Sequence, residues 1–246
     1  MPKFFIEKEN INGDSVAICG GDASHIAKVL RMEVGQHLTL CDGEGTDFDA
    51  KIVSCTKEEV VLSIQSSHPC PCEPALSFVL FQGIPKQGKM DYIIEKCTEL
   101  GIKTIVPVAC ERSVVEIRNA QAEEKKLSRW RKIAAESVKQ CGRGVIPEVL
   151  NVMTVQEAIS YAASLACTLA AYENERQLPL KDAFPAEKPE SLGVFIGPEG
   201  GFSDKEIELF QANSIPTVTL GRRILRTETA GHTVLTAAMY AYDEME

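Results

Sequence analysis

The stretch VFIGPEGGFSDKE, Val194 to Glu206, joins an apolar run to a helix signal through an unusual loop. Pro198 fixes one backbone φ angle, and three neighbouring glycines place no side chain between the backbone and whatever lies against it. The pattern Ser203-x-x-Glu206 is a capping box, which is typical of a helix start. We therefore predict a strand, a backbone-lined loop and a helix, in that order.

The same alternation of strand and helix extends over the chain from residue 74 onward. LSFVLFQGI (76–84) is a continuous apolar run, MDYIIEKCTELG (90–101) has amphipathic helical spacing, and KTIVPVAC (103–110) is again apolar. A helix follows from about residue 120 to 141, and Thr154-x-x-Glu157 opens another with a second capping box. This pattern predicts an α/β domain with a mostly parallel sheet.

Three short strands and a last helix complete the second half of the chain. The strands are expected in CTLAAYE (167–173), GVFIG (193–197) and TVTLG (217–221), and the helix from about residue 229 to 242. Each strand ends in polar or glycine-rich sequence. Because ligands in open α/β sheets sit beyond the carboxyl ends of the strands, we expect these three loops to form one pocket.

The first 65 residues differ from the rest in being β-rich. Alternating apolar residues in 37–55 and 59–65 are interrupted by Asp42-Gly43, a turn dipeptide, and one short helix is expected in ASHIAKVL (23–30). Three prolines between residues 69 and 74 favour an extended connector. We place the domain boundary there, with one domain spanning 1–70 and the second 74–246.

Composition and charge restrict the class of protein. The net charge of −9 argues against nucleic-acid binding when averaged, but the segment from Lys86 to Arg143 holds thirteen Lys or Arg against eight Asp or Glu. A solvated helix face is the alternative explanation of that basic charge. No apolar run reaches membrane-spanning length and no secretory signal is recognisable, so we expect a cytoplasmic protein. Nine scattered cysteines predict reduced thiols, and no zinc signature is present, so no metal is expected.

One motif resembles a phosphate-binding P-loop but lacks a necessary residue. The sequence from Gly83 to Lys89 has the required spacing, yet Met90 stands where a hydroxyl must hold Mg²⁺, and Pro85 removes a backbone N–H donor. Lys86 and Lys89 fit contacts with an RNA backbone better, with two solvated lysines as the alternative. The dinucleotide fingerprint, the nucleophile elbow and the HExxH zinc motif are all missing from the sequence.

Four blocks of this sequence together resemble one protein family. FIGPEGGFS (195–203), LGRRILRTETA (220–230), GKMDYIIEKCTELG (88–101) and RWRKIAAESVKQCGRGVIP (129–147) resemble the signature blocks of the ribosomal RNA small subunit methyltransferase E family, and HIAKVLRMEVG (25–35) resembles its N-terminal block. The resemblance implies a SPOUT-class α/β domain with a trefoil knot, an N-terminal PUA-like β-barrel that binds RNA, and a homodimer.

The resemblance also implies an activity and a cofactor. Family members methylate N3 of one uridine in the 16S ribosomal RNA of the 30S subunit, with S-adenosyl-L-methionine as the methyl donor. The cofactor residues carried over from the family's blocks are Glu173, Gly197, Pro198, Glu199, Gly200, Leu220, Ile224, Leu225 and Ala230. A buried apolar staple at Ile224-Leu225 and an unusual turn at the glycine loop are the structural alternatives.

Catalytic and RNA-binding roles follow as hypotheses. Uridine N3 carries a proton, and a fixed cation at Arg226 would stabilise the negative charge that forms as the proton leaves. No general base is assigned, because Glu228 fits a helix N-terminal charge equally well. The residues expected to contact RNA are Arg31, Lys86, Lys89, Arg112 and Arg143. A non-catalytic RNA-binding protein and a P-loop phosphotransferase are the rival functions.

Overall fold

The computed structural model describes residues 3–86, 88–113 and 120–245. The chain divides into two compact units, the first made of residues up to Glu73 with Val138–Ile146, and the second of Pro74–Ser137 with the chain from Pro147 onward. Residues 138–146 thus associate with the N-terminal unit, although the sequence places them in the second of two continuous domains. The assignment of an RNA-binding role to one unit and catalysis to the other stays a prediction.

The first unit is built on a six-stranded sheet that confirms the β-rich prediction. Its strands are β1 (Lys3–Phe5), β2 (Ile11–Asn12), β3 (Ser15–Cys19), β4 (His37–Cys41), β5 (Thr46–Cys55) and β6 (Glu59–Pro69). They lie in the order β1-β4-β5-β6-β3-β2, and only the β1–β4 pair is parallel. A short helix, α1 (Gly20–Ser24), continues as a π-helical turn over His25–Val29.

Apolar side chains at alternate strand positions form the core of this unit. Strand β3 buries Val16 and Ile18 and exposes the residues between them, because successive side chains point to opposite faces of a sheet. Leu38 and Leu40 of β4 and Ile26 of the π-helical turn complete the same core. The core lies on one side of the strands, as expected for an antiparallel sheet with one solvated face.

An ion pair inside the first unit holds residues 138–146 to the sheet. Arg143 is only 4% exposed, and its Nη2 lies 2.7 Å from Oε2 of Glu73. The other oxygen of Glu73 accepts hydrogen bonds from the backbone N–H groups of Gly144 and Val145 at 2.7 and 3.0 Å. Both oxygens of the carboxylate are therefore satisfied by this segment, and the charge of Arg143 is neutralised where water is excluded.

The second unit is a parallel sheet with helices on both faces. Its strands are β7 (Ser77–Gly83), β8 (Thr104–Ala109), β9 (Glu148–Val149), β10 (Met153–Thr154), β11 (Cys167–Ala171), β12 (Ser191–Ile196) and β13 (Thr217–Val218). Their order is β10-β8-β7-β12-β11-β13, with β9 also on β8, and every pair in the described sheet is parallel. The predicted α/β class is confirmed, whereas strand order does not test the trefoil knot, which stays a prediction.

Alternate residues of each central strand enter two different cores. Phe78 and Leu80 of β7 face one core, and Val79 and Phe81 face the other. The first core is covered by α2 (Lys89–Glu99), α3 (Ala120–Cys141) and α7 (Thr227–Ala241), and the second by α4 (Val155–Ala162) and α6 (Asp204–Ala212). A short helix, α5 (Leu180–Ala183), precedes β12. Burial on both faces explains why β7 reads as a continuous apolar run.

Helix boundaries agree with the sequence signals except at α7. The capping boxes at Thr154 and Ser203 are both formed, each with its reciprocal glutamate hydrogen bond. The helix expected from about residue 229 begins two residues earlier, at Thr227, and its N-cap Arg226 contributes no side-chain hydrogen bond. Within the described residues no helix is long and apolar enough to cross a bilayer.

Replacing Glu73 by alanine is expected to destabilise the first unit strongly. The substitution leaves Arg143 buried and unpaired, and breaking a buried pair from one side costs about 3–5 kcal/mol. Urea denaturation followed by circular dichroism should show the loss, with Glu58→Ala, an exposed glutamate of the same unit, as the matched control. A Glu73→Ala protein as stable as the control would contradict a structural role for the pair.

Candidate functional site

One large pocket lies beyond the carboxyl ends of β11, β12 and β13, where the sequence predicts it. Its volume is about 990 Å³, near the upper end of the range of about 300–1,000 Å³ typical of small-molecule sites. All nine residues proposed for cofactor binding line it, as does Arg226. The strands bring them together because β12 pairs in parallel with β11, and β11 with β13, so that their following loops leave at the same edge.

Backbone packs against backbone on one side of this pocket. A Cβ atom on Gly83, at the end of β7, would stand 2.6 Å from Cδ of Pro198, and one on Gly197 would lie 3.1 Å from the carbonyl carbon of Gly201. Gly201 has a φ of +67°, and a side chain there would press on the carboxylate of Glu173. The glycines of the loop are therefore required by steric fit and by conformation.

A buried threonine fixes the carbonyl group of Gly197. The hydroxyl of Thr227 donates a hydrogen bond of 2.6 Å to that carbonyl oxygen and accepts one of 2.9 Å from Nε2 of Gln82. Gln82 is fully buried, and its Nε2 also donates to the carbonyl of Gly83 at 3.0 Å. One hydroxyl thus connects the ends of β7 and β12 to the start of α7, a relation that no sequence pattern indicated.

Lys89 forms two ion pairs at the edge of the pocket. Its Nζ lies 3.0 Å from Oε1 of Glu199 and 3.1 Å from Oε2 of Glu228, and the hydrogen bonds to Glu199 and then Glu228 raise the pKa of the lysine. Burial alone would raise the pKa of Glu199, but hydrogen bonds from Lys89 and from the backbone N–H of Lys86 outweigh it and hold that pKa below its ordinary value. The sequence assigned Lys89 to RNA and missed this cluster.

Glu228 is in a similar electrostatic state. Burial by itself would raise the pKa of Glu228. The backbone N–H at the helix start and the ion pair with Lys89 outweigh burial, so this pKa lies below its ordinary value. The guanidinium of Arg226 adds little, because its Nη1 is 4.0 Å from Oε1 of Glu228. Glu228 lies in the first turn of α7, where a carboxylate is favoured by the helix dipole.

The loop between β13 and α7 presents its side chains to solvent. Arg226 has 83% of its side chain exposed, and Ile224 is 81% exposed. Leu225 is partly buried and packs against the first core of the second unit. The alternative of a buried staple at Ile224-Leu225 is therefore right for Leu225 and wrong for Ile224.

The glycine loop is also supported from outside the pocket. Nη1 of Arg112 donates to the carbonyl oxygens of Gly200 and Phe202 at 3.2 and 3.0 Å. Glu206 completes its capping box and also accepts a 2.8 Å hydrogen bond from the backbone N–H of Glu111. These contacts fix the loop conformation before any ligand binds.

The residues predicted to contact RNA are divided between the two units. Arg31 is exposed in the first unit with a φ of +52°, while Lys86 and Arg112 are exposed in the second unit. Arg143 is buried against Glu73, so the structure argues against its assignment to RNA. In the described ranges, no group of three or more His, Cys, Asp and Glu side chains is arranged to hold a metal ion.

Two family models match this chain. The RNA methyltransferase domain matches residues 72–239, and the RNA methyltransferase PUA domain matches residues 18–65. Among curated proteins, the ribosomal RNA small subunit methyltransferase E of Bacillus subtilis (strain 168) is 33% identical over 248 residues, covering 98% of this chain and 96% of the relative. The PUA match confirms the class expected for the first unit.

Solved structures of methyltransferases are also similar to this chain. A ribosomal RNA small subunit methyltransferase E from Neisseria gonorrhoeae bound to S-adenosyl methionine is 29% identical, with a TM-score of 0.86 and 98% coverage of both chains. A Legionella pneumophila methyltransferase in complex with bound SAM is 32% identical, with a TM-score of 0.83 and the same coverage. With the signature blocks, the parallel sheet and the pocket all in agreement, this chain belongs to the ribosomal RNA small subunit methyltransferase E family of RNA methyltransferases.

Proposed function

We propose that this protein transfers a methyl group from S-adenosyl-L-methionine to N3 of a specific uridine in 16S ribosomal RNA within the 30S subunit. Family membership supports RNA methylation with this cofactor. The observation that carries the proposal is the single pocket made by three loops, in which main-chain groups and glycines predominate on one side. A small-subunit substrate implies a cytoplasmic enzyme, and the homodimer expected from the resemblance remains part of the proposal.

The pocket suits the proposed cofactor in size and in chemistry. Gly197, Gly200 and Leu220 would hold the cofactor through their backbone groups, and Leu225 and Ala230 would supply apolar surface that excludes water. Glu173 and Glu199 are the carboxylates available to cofactor hydroxyl or ammonium groups. When bound there, S-adenosyl-L-methionine supplies an electrophilic methyl group on a sulfonium centre.

The chain's own contribution to chemistry is charge stabilisation at the target base. Loss of the N3 proton leaves negative charge on the uracil ring, and Arg226 is the proposed cation that stabilises this charge. Its side chain is exposed at the pocket wall, so it can reach an incoming base without breaking a strong ion pair. The lowered pKa of Glu228 makes it a weaker proton acceptor, and no general base is assigned.

RNA contacts are proposed for Arg31, Lys86 and Arg112, which are exposed. Lys89 remains a candidate only if RNA displaces its ion pairs with Glu199 and Glu228. Arg112 already binds two carbonyl groups of the glycine loop, so it would act on RNA and on loop conformation together.

Methylation of unmodified 30S subunits tests the proposed function directly. The protein is incubated with S-adenosyl-L-methionine carrying a labelled methyl group and with subunits from a strain that lacks the modification. The label is expected in 16S RNA, at N3 of one uridine, when the RNA is digested and analysed by mass spectrometry. Subunits that already carry the modification are the control. Binding of subunits without cofactor binding or methyl transfer would instead support a non-catalytic RNA-binding protein.

Arg226→Ala is expected to reduce turnover while leaving cofactor binding intact. Removing one group that stabilises charge in the transition state typically costs about 10²–10³-fold in kcat. Single-turnover rates on 30S subunits and calorimetry with S-adenosylhomocysteine measure the two effects separately. Lys205→Ala, at an exposed cationic position outside the pocket lining, is the matched control for kcat. Normal turnover by Arg226→Ala would eliminate the catalytic assignment.

Thr227→Val is expected to weaken cofactor binding through the backbone of Gly197. The isosteric substitution removes the hydroxyl that orients this carbonyl and leaves the amide of Gln82 without one acceptor, a loss of about 1–3 kcal/mol. We expect the Kd for S-adenosylhomocysteine to rise about tenfold, which corresponds to about 1.4 kcal/mol. Thr227→Ser should restore affinity, and Thr229→Val, at an exposed position of the same helix, should leave it unchanged. Equal affinity in folded Thr227→Val would refute this role.

A further inference from the structure

The lining of the pocket is basic although the chain is acidic. It contains five cationic and two anionic side chains, namely Lys89, Arg176, Arg222, Arg223 and Arg226 against Glu173 and Glu199. The whole chain has a net charge of −9. A local excess of positive charge in such a chain raises the concentration of an anionic ligand at this site.

Two of these arginines have no side-chain partner among the described residues. Lys89 pairs with Glu199 and Glu228, and Arg176 donates to the carbonyl groups of Glu173 and Glu175. Arg222 and Arg223 are exposed and, in the part of the chain that the structure describes, form neither a salt bridge nor a side-chain hydrogen bond. Their guanidinium groups therefore remain available to an external anion.

The loop that carries Arg222 and Arg223 is anchored at both ends. On the β13 side, the backbone N–H of Gly221 donates to the hydroxyl of Thr219 at 3.3 Å. On the α7 side, Leu225 packs into the core and Thr227 binds the carbonyl of Gly197. An anchored backbone reduces the conformational freedom that the loop loses on binding, and arginine matches phosphate geometry through bidentate hydrogen bonds.

We infer that Arg222 and Arg223 bind RNA phosphates that flank the nucleotide entering the pocket. The inference rests on the proposed function, because it requires an RNA strand to cross this loop. The two residues precede Arg226 by only a few positions, so phosphate contacts here would bring a base towards the proposed catalytic cation. Ile224, exposed between them and Arg226, offers an apolar surface to a neighbouring base.

The test measures binding of unmodified 30S subunits to Arg222→Gln/Arg223→Gln over a range of salt concentrations. Loss of two phosphate contacts should lower the magnitude of the slope of log K against log salt by about 1.4, or about 0.7 per contact. The Kd at low salt and the KM for subunits should rise at least tenfold. Lys103→Gln/Lys205→Gln removes the same charge from exposed positions outside the pocket lining and is the control.

Each outcome separates this inference from the proposed function. If wild-type protein methylates subunits and the double variant keeps the wild-type slope, the inference is wrong and the function stands. If the variant loses affinity for S-adenosylhomocysteine but keeps its slope, the arginines serve the cofactor, which also overturns the inference. If the control variant loses as much slope as the arginine variant, the effect is general electrostatics and not a phosphate site. If wild-type protein neither binds nor methylates subunits, both proposals fail.

Discussion

The pocket depends on the close approach of two backbone segments at the ends of β7 and β12. Gly83 leaves no room for a side chain beside Pro198, and Gly197 leaves none beside Gly201. Parallel pairing of β7 and β12 sets the distance between their ends, and a residue without a side chain at Gly83 makes this short distance possible. Because the two strand ends are this close, the hydroxyl of Thr227 can hydrogen-bond to both the amide of Gln82 and the carbonyl of Gly197. A side chain at Gly83 would press on Pro198 and separate the ends of β7 and β12, and one at Gly197 would press on Gly201 and distort the loop that lines the pocket.

Charge near the pocket is divided between pairs that hold structure and groups left free for a ligand. Lys89, Glu199 and Glu228 form a cluster with lowered carboxylate pKa values, which keeps both acids ionised at neutral pH. Arg112 is directed at carbonyl groups of the glycine loop. The arginines of the β13–α7 loop, by contrast, project from an anchored backbone. This division leaves a local excess of positive charge at the pocket of a chain whose net charge is −9.

The sequence was sufficient to predict the fold class, the order of elements and the clustering of three loops. Apolar periodicity, capping boxes and parallel-strand geometry are local signals, and each operates within one or two elements. It could not predict the contact between Thr227 and Gly197, which joins residues thirty positions apart, or the burial of Arg143 against Glu73, which joins residues seventy apart. The carboxylate partners of Lys89 and Arg143 were not predictable either, because a basic sequence does not say whether its cation faces RNA or a carboxylate.

Arg143 shows why family resemblance and electrostatics must be separated. Its block resembles the family's, and its neighbours in sequence are basic, so an RNA contact was a reasonable inference. The structure gives it a bidentate partner and almost complete burial. Burying an arginine without such a partner would cost several kcal/mol, so the presence of Glu73 is itself a reason for the position to be basic. Arg222 and Arg223 differ from Arg143 in being exposed and in having no salt-bridge partner among the described residues, so no internal ion pair would have to break before they bind a phosphate.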